Sequence, residues 1–340
     1  MTGTKKRIIC ILIILFIGLI LWNIQQKKDS YIPKENASSD GFFIENYDSS
    51  LRPHIYHYHA HPKRITALWQ NSIETLLMLG AGDRIAVAGG LSSTEVLAPE
   101  NKALYEKIPI RTRQVPDVET LLLLQPDFIV GWLFDFTGKS NGIGRSDFWE
   151  KRGVNVYMTS MNGADFKAVH TLEDELQFIH DLGIIVNRED RALALIQTIR
   201  DEAIVQHMDI PPRVLVIASA SRQLTIYTPR TLPGDLLRRL GAEVLGTEQE
   251  RVGENEFISY EQLLMMNPDI IFIQSNAPKD ERPRELLRRN PALRSLRAVQ
   301  EDRIYCIPFY LLRCPGVRVL DTIHCLKQGL NGSPDIGKQS

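Results

Sequence analysis

The sequence has few of the residues that mark several common classes of protein. Only four of its 340 residues are cysteine, and Cys306, Cys314 and Cys325 lie close to its carboxyl end. This number does not suit a small disulfide-linked scaffold, and no pairing, such as Cys314–Cys325, follows from spacing alone. Because the net charge is only −1, there is no electrostatic basis for binding nucleic acid.

Catalytic motifs are also missing. The chain has no G-x-S-x-G, no H-E-x-x-H and no P-loop motif. Two glycine-rich stretches, GGLSS (89–93) and GKSNGIG (138–144), lack the complete fingerprint of a nucleotide site and are interpreted as turns. The sequence therefore predicts neither an enzyme nor a bound cofactor.

The amino end is the exception to an otherwise ordinary globular composition. Lys5, Lys6 and Arg7 precede an apolar run over residues 8–22, which is typical of a secretory signal or a membrane anchor. No A-x-A cleavage site follows, and no small residue precedes Cys10 as lipidation would require. We therefore predict a signal peptide or N-terminal membrane anchor over residues 1–24. The body would then be extracytoplasmic, either anchored at the outer face of the cytoplasmic membrane or periplasmic.

The body alternates between strand-like and helical segments, which predicts α/β architecture. After a polar linker (25–51), we assign an N-terminal α/β lobe (52–168), a helical connector (169–210), a C-terminal α/β lobe (211–330) and a loose tail (331–340). The expected fold is two Rossmann-like α/β lobes joined by a long connecting helix, with a ligand cleft between the lobes. Gly183 and Asn187 predict that this connector is kinked or divided.

One unit of the sequence occurs twice. Residues 115–131 read VPDVETLLLLQPDFIVG and residues 257–273 read FISYEQLLMMNPDIIFI. Each contains a Glu at the start of a helix, Glu119 or Glu261, then Pro-Asp and an apolar strand. The residues alone allow a local explanation, because a carboxylate near a helix amino end is favoured by the helix dipole.

Six blocks in order resemble the iron-siderophore/cobalamin class (helical-backbone type) of ABC transporter periplasmic substrate-binding proteins. The resemblance spans residues 52–330 and rests on PKRITALWQNSIETLLMLGAGDRIAVAG, VPDVETLLLLQPDFIVG, GAEVLG, ISYEQLLMMNPDIIFI, AVQEDRIYCIPF and PGVRVLDTI. It implies a receptor that captures a ferric siderophore or related iron chelate and delivers it to an ABC permease dimer with its ATPase. It also implies that Glu119 and Glu261 each dock on one permease subunit. The alternative within this class is a cobalamin or haem receptor.

The ligand should lie at loops that follow strand ends, where open α/β sheets bind ligands. These loops hold aromatic rings that suit a large flat ligand and arginines that suit oxygen anions. The candidates are Trp69, Trp132, Phe134, Tyr227, Arg230, Tyr310 and Arg313, with Phe136 and Phe309 in the same loops. If the ligand is haem, Tyr227 or Tyr310 would be its axial residue.

The segment HIYHYHAHP (54–62) suggests a different function. His57, His59 and His61 alternate, so in a strand they would share one face and could hold zinc or a haem iron. The second alternative is therefore an anchored metal-binding protein that uses the cluster between His54 and His61. Ordinary histidines of an edge strand explain the same pattern without a metal.

Overall fold

The computed structural model of the chain describes residues 41–138, 142–159, 169–204, 209–247, 255–313 and 315–333. The predicted anchor, most of the predicted linker and tail, and Cys314 lie outside these residues. The described residues from Phe43 onward form one compact unit. Within the part of the chain that is described, no helix is both long enough and apolar enough to cross a membrane.

The first lobe is built on a parallel sheet with strand order β5-β4-β3-β6-β7. A two-stranded sheet of β1 (Phe42–Tyr47) and β2 (Pro53–Tyr58) precedes it. The sheet strands are β3 (Ile65–Leu68), β4 (Ile85–Gly89), β5 (Ile110–Arg111), β6 (Phe128–Trp132) and β7 (Asn155–Thr159). Its helices are α1 (Trp69–Met78), α2 (Pro99–Tyr105), α3 (Val118–Leu124) and α4 (Ser146–Glu150). The central strands β3 and β6 are apolar on both faces because helices cover both sides of a parallel sheet.

The connector, which the sequence predicted to be kinked or divided, consists of two helices, α5 (Leu172–Ile185) and α6 (Glu189–Glu202). Thr171 and Asp174 form the capping box that begins α5. The break comes at Asn187, whose φ of +51° ends the first helix. Gly183 does not interrupt the helix. A side chain there would collide with Ala192, so this glycine lets α6 pack closely against α5.

The second lobe is built on a mixed sheet with order β11-β9-β8-β12-β13, and β10 pairs with β8. Its strands are β8 (Arg213–Ala220), β9 (Leu224–Tyr227), β10 (Glu243–Val244), β11 (Asn255–Ile258), β12 (Ile270–Ser275) and β13 (Ile304–Pro308). Its helices are α7 (Leu232–Arg239), α8 (Tyr260–Met266), α9 (Arg282–Arg288), α10 (Arg297–Gln300), α11 (Phe309–Leu312) and α12 (Val319–Leu330). The strand β9 is antiparallel to β8, unlike β12 and β13. The predicted α/β class with two lobes is confirmed.

The repeated Pro-Asp sequence performs the same structural task in each lobe. The carboxylate of Asp127 accepts from the backbone N–H groups of Lys63 (2.7 Å) and Arg64 (2.9 Å), just before β3. In the second lobe, Asp269 accepts from the N–H of Arg213 (2.8 Å) at the start of β8. Each aspartate thereby joins the end of one helix-loop unit to the first strand of its own sheet.

The arginine at the start of each strand also bonds to the helix that precedes the Pro-Asp sequence. The guanidinium of Arg64 donates to the carbonyl of Leu124 (2.6 Å), and that of Arg213 donates to the carbonyl of Met266 (2.6 Å). These carbonyls lie at the carboxyl ends of α3 and α8, where no intrahelical donor remains. Gln125 and Asn267 follow with φ of +49° and +42°, so both helices end in the same left-handed conformation.

The two described cysteines are free thiols. Burial raises the pKa of Cys306 and of Cys325 to about 12, so neither is a reactive thiolate near neutral pH.

Candidate functional site

The carboxyl ends of the parallel strands of the first lobe meet at one edge of its sheet. Trp69 directly follows β3, Gly90 directly follows β4, and Trp132 is the last residue of β6. Because β3, β4 and β6 are parallel neighbours, these three residues lie side by side. This edge is where open α/β sheets bind ligands.

Three aromatic rings pack together at this edge, and we call Trp69, Trp132 and Phe134 the ring cluster. The two indoles are stacked, with centroids 4.5 Å apart and an interplanar angle of 10°. Phe134 meets both edge-on, at 5.8 Å from Trp69 and 5.2 Å from Trp132. Phe134 is 41% exposed and the two indoles are half-buried, so a ligand can reach the cluster. The prediction that these three residues bind ligand is untested, but they do form one surface.

The backbone of Trp69 has a conformation that large residues rarely adopt. Its φ is +67°, in the left-handed region that disfavours a side chain with Cβ. Gly90 makes room for the indole, since a Cβ there would lie 3.0–3.3 Å from three atoms of the Trp69 ring. Such strain persists only where the surroundings hold it, and it is often found at ligand sites.

Asp135 lies directly behind the ring cluster. Its Oδ2 accepts hydrogen bonds from Nε1 of Trp69 (2.8 Å) and from the backbone N of Trp132 (2.7 Å). Because the carboxyl is only 2% exposed, burial raises the pKa of Asp135 to about 7, although both hydrogen bonds oppose that rise. The indole N–H of Trp132 donates to Oδ1 of Asn71 (3.2 Å). The polar atoms of both indoles are thus used inside the lobe.

A buried ion pair joins α1 of the first lobe to the segment before α12, which the predicted boundaries assign to the second lobe. Glu74 of α1 is fully buried. Its two carboxylate oxygens accept hydrogen bonds, at 3.0 and 3.2 Å, from Nη1 of Arg318, which lies just before α12. The same carboxylate accepts from the backbone N of Ala98 (2.7 Å) and from Nδ2 of Asn101 (3.0 Å). Although burial alone would lower it, Glu74 and Asp321 raise the pKa of the Arg318 guanidinium, which therefore remains charged.

A second buried carboxylate connects the connector to the same loop. Glu175 of α5 accepts from the backbone N of Gly316 (2.6 Å) and lies 2.8 Å from Nε2 of His170. Gly316 has φ of +59°, and a side chain there would collide with Thr75 of α1. The Pro-Gly-Val-Arg sequence before α12 therefore packs against both the first lobe and the connector.

Tyr227, which the sequence predicts as a ligand-binding residue, is buried within the second lobe. It is 1% exposed, and its hydroxyl donates to Oε1 of Gln274 (2.6 Å) inside the second lobe. The antiparallel direction of β9 explains this, because it pairs Tyr227 with Val216 in the middle of β8 and away from the carboxyl edge. Phe136 is also wholly buried.

The remaining predicted ligand residues lie in the second lobe. Tyr310 is 8% exposed, and burial raises its pKa to about 12. Phe309, Arg230 and Arg313 are half-buried. The carbonyl of Arg230 accepts from the N–H of His170 (3.0 Å), which places it beside the start of the connector. A ligand contact from any of these residues stays a prediction.

Glu119 and Glu261 occupy equivalent positions. Each is the second residue of a seven-residue helix, α3 or α8, and each side chain is exposed. The residue before each helix caps it, since Asp117 accepts from the N of Thr120 and Ser259 from the N of Gln262. A hydrogen bond from Ser259 lowers the pKa of Glu261. Both carboxylates are therefore exposed at equivalent positions in the two lobes.

The predicted three-histidine metal site is not formed. The strand β2 ends at Tyr58, so the alternation that would put His57, His59 and His61 on one face does not continue. The ring of His57 packs against those of His59 (4.1 Å) and Phe43 (4.4 Å), while Nδ1 of His61 lies 3.0 Å from the carbonyl of Ile185. No group of three His, Cys, Asp or Glu side chains in the described ranges is arranged to hold a metal.

The pattern of a known family matches most of this structure. The model of the periplasmic binding protein family matches residues 65–311, from β3 of the first lobe to α11 of the second. The chain belongs to the periplasmic binding protein family. The protein is therefore an extracytoplasmic substrate-binding protein of the ABC transporter type and not an enzyme, and its partners are a small-molecule ligand and a permease.

Individual relatives agree with this assignment. A solved periplasmic binding protein from Veillonella parvula is 29% identical, with a TM-score of 0.75 over 87% of this chain and 95% of its own. The chain is 23% identical to an achromobactin-binding periplasmic protein of Dickeya dadantii, over 72% of this chain and 78% of the relative. It is 25% identical to an iron-uptake system-binding protein of Bacillus subtilis, over 58% of this chain and 60% of the relative.

Sequence reasoning missed two polar groups of this region. Asp135 stands between Phe134 and Phe136 in GWLFDF, and a carboxylate inside so apolar a loop was the available signal. Arg318 stands in the PGVRVL block, but nothing local indicates that it reaches Glu74, 244 residues away.

The buried carboxyl of Asp135 predicts a specific pH dependence of stability. Because its folded pKa of about 7 lies above the ordinary value of 3.8, its contribution is complete below pH ~3.8 and is lost as the pH rises through ~7. The stability of Asp135→Asn relative to wild type should therefore increase from about pH 5 to about pH 8, by on the order of a few kcal/mol at most. Urea denaturation of both proteins at the two pH values measures this. A difference that does not change with pH would contradict it.

Proposed function

We propose that this protein captures a ferric siderophore or related iron chelate outside the cytoplasmic membrane and delivers it to an ABC permease dimer powered by its ATPase. The observation that carries the proposal is the ring cluster, an accessible aromatic surface at the carboxyl edge of a sheet. Membership of the periplasmic binding protein family supplies the transport role. One of the two relatives is named an achromobactin-binding protein and the other an iron-uptake system-binding protein. These names favour an iron-related ligand.

The chemistry of the ring cluster suits a bulky chelate. Stacked and edge-on rings offer flat apolar area with no charge, which binds aromatic or planar ligand groups. Arg230 and Arg313 of the second lobe are the proposed partners for carboxylate or catecholate oxygens, because guanidinium groups bind such oxygens with two parallel donors. Haem has less support, since Tyr227 is bonded within the second lobe and burial raises the pKa of Tyr310.

A ligand panel tests the proposal. Ferric catecholate, ferric hydroxamate, ferric citrate, cyanocobalamin and haemin are each titrated against the protein, and thermal midpoints and dissociation constants are measured. At least one ferric chelate should raise the midpoint, because a ligand that binds only the folded state stabilises it. Binding of cyanocobalamin or haemin alone would replace the iron-chelate assignment with the alternative ligand. Binding of none would remove it.

The ring cluster should dominate the affinity for that chelate. Trp132→Ala removes one of the two stacked indoles and should weaken binding by about tenfold or more. Phe148→Ala is the matched control. Its ring is also half-buried, but it packs under the guanidinium of Arg152 (3.8 Å) on α4. Isothermal titration of both variants should separate them, and equal losses of affinity would show that the cluster is not the binding surface.

We propose that α3 and α8 form the two docking surfaces for the permease. Each offers an exposed glutamate, Glu119 or Glu261, and one turn later an exposed apolar residue. Leu123 is 84% exposed and Met265 is 85% exposed. A permease with two equivalent halves would meet the same acidic and apolar pair on each lobe. Charge-assisted hydrogen bonds to arginine would orient the complex, and the apolar side chains would add buried area.

Removing the two charges should reduce transport without affecting capture. Glu119→Gln and Glu261→Gln should each lower uptake of the bound chelate a few-fold, and the double variant should lower it by about tenfold, since exposed ion pairs are individually weak. Ligand affinity should not change. Glu100→Gln is the control, because Glu100 is an exposed glutamate in the first turn of α2. Uptake of radioactive iron by cells carrying each variant, paired with titration of the purified protein, measures both. A docking variant that loses affinity instead would refute this role.

The attachment of the protein to the membrane is also proposed. The basic residues and apolar run at positions 5–22 support an uncleaved anchor at the outer face of the cytoplasmic membrane. Mass spectrometry of the protein extracted from cells would decide this, because a cleaved signal removes the run and a retained anchor keeps it.

A further inference from the structure

We propose that Asp135 is a positioning residue for the ligand site: through one carboxyl oxygen it holds the two stacked indoles in the arrangement that the ligand meets. This inference rests on the proposed ligand-binding role of the ring cluster. It assigns a function to a side chain that points away from the accessible surface of that cluster.

The first support is that one atom fixes two separate parts of the cluster. Oδ2 of Asp135 accepts from the indole N–H of Trp69, which follows β3, and from the backbone N–H of Trp132, which ends β6. These two hydrogen bonds connect the ring of Trp69, which follows β3, to the backbone of Trp132, which carries the other ring at the end of β6. Gly131 leaves space for this oxygen, because a Cβ at that position would lie 2.9 Å from it.

The second support is that the arrangement of Trp69 is not the one its own backbone favours. With φ of +67°, this residue needs interactions elsewhere to hold it. Among the described residues the indole has four such interactions: stacking on Trp132, the edge-on contact with Phe134, packing over Gly90, and the hydrogen bond to Asp135. Of the four, only the hydrogen bond is directional enough to fix the rotation of the indole in its plane.

The third support is the isolation of this carboxyl from other charges. The strands β3 and β6 carry no titratable side chain. Glu74 on α1 is held by Arg318, and Tyr157 on β7 donates to Asp181 (2.8 Å). In the part of the chain that the structure describes, no ion pair to Asp135 is formed. Its charge is therefore balanced only by the two N–H donors, which makes it sensitive to the charge of a ligand on the ring cluster.

The use of a single oxygen has a chemical consequence. Both donors bind Oδ2, so a proton on Oδ1 leaves both hydrogen bonds intact. Asn at this position can accept in the same way, whereas Ala cannot. An anionic chelate over the cluster should favour the neutral acid, so binding should take up a proton and become weaker as the pH rises through about 7.

The positioning role can be tested first without ligand. Two indoles stacked at 4.5 Å should give an exciton couplet in the circular dichroism of the protein. Asp135→Ala should lose the couplet while keeping the helical signal, and Asp135→Asn should retain it. Asp181→Asn is the control, because Asp181 is also buried, with a pKa raised by burial to about 6, and bonds the hydroxyl of Tyr157 instead. A couplet that survives in a folded Asp135→Ala protein would overturn the proposal.

Ligand titration gives the second test, with the ferric chelate that binds best in the panel and with a ferric tris-catecholate as the anionic probe. Asp135→Ala should weaken binding at least about tenfold, and Asp135→Asn should bind within about threefold of wild type at pH ~6. The ratio of wild-type to Asp135→Asn affinity for the anionic probe should fall between about pH 6 and pH 8. Equal affinities for all three proteins at every pH would overturn the positioning role. If no chelate binds even wild type, the proposed function fails, while the couplet still decides whether Asp135 positions the indoles.

Discussion

The buried ion pair between Glu74 and Arg318 is the contact on which the arrangement of the two lobes depends. Glu74 belongs to the first helix of the first lobe, and Arg318 immediately precedes α12, which the predicted boundaries assign to the second. Because Glu74 is fully buried, removing Arg318 would leave an uncompensated buried carboxylate, a loss that typically costs about 3–5 kcal/mol. The bond from the N–H of Gly316 to Glu175 adds the connector to the same buried region. Three parts of the fold are thereby held at one place.

A fixed relation between lobes gives the candidate site its physical meaning. The ring cluster is held by contacts inside the first lobe, with Trp69 in a strained conformation and its N–H bonded to Asp135. A site held by such contacts loses little conformational entropy on binding. The same rigidity would keep the docking helices α3 and α8 at a constant spacing. A permease could then recognise both lobes at once, although each exposed glutamate contributes little alone.

Local sequence signals predicted much of this structure, and long-range contacts limited the rest. The apolar block FIVGW predicted a covered parallel strand, and the paired Pro-Asp units predicted equivalent helices in both lobes. The aromatic residues after β3 and β6 were expected near a ligand, and they do form one surface. Nothing local reveals that β9 runs antiparallel, so the sequence could not show that Tyr227 pairs with Val216 in the middle of β8. The histidine alternation suggested a metal site because the end of β2 at Tyr58 has no clear sequence signal. Trp69 lies 66 residues from Asp135 and Glu74 lies 244 residues from Arg318, and local sequence patterns do not predict contacts between such distant residues.

The most direct test of the central claim is the distance between the lobes in solution. Spin labels at positions 123 and 265, which are exposed and equivalent on α3 and α8, can be introduced in a protein whose native cysteines are replaced. Pulsed electron–electron double resonance then gives the distribution of distances between the two labels with and without the ferric chelate. We expect one narrow distribution whose centre moves by less than about 2 Å on binding. A broad distribution in the free protein, or a shift of many ångströms on binding, would show that the Glu74–Arg318 link does not hold the lobes together.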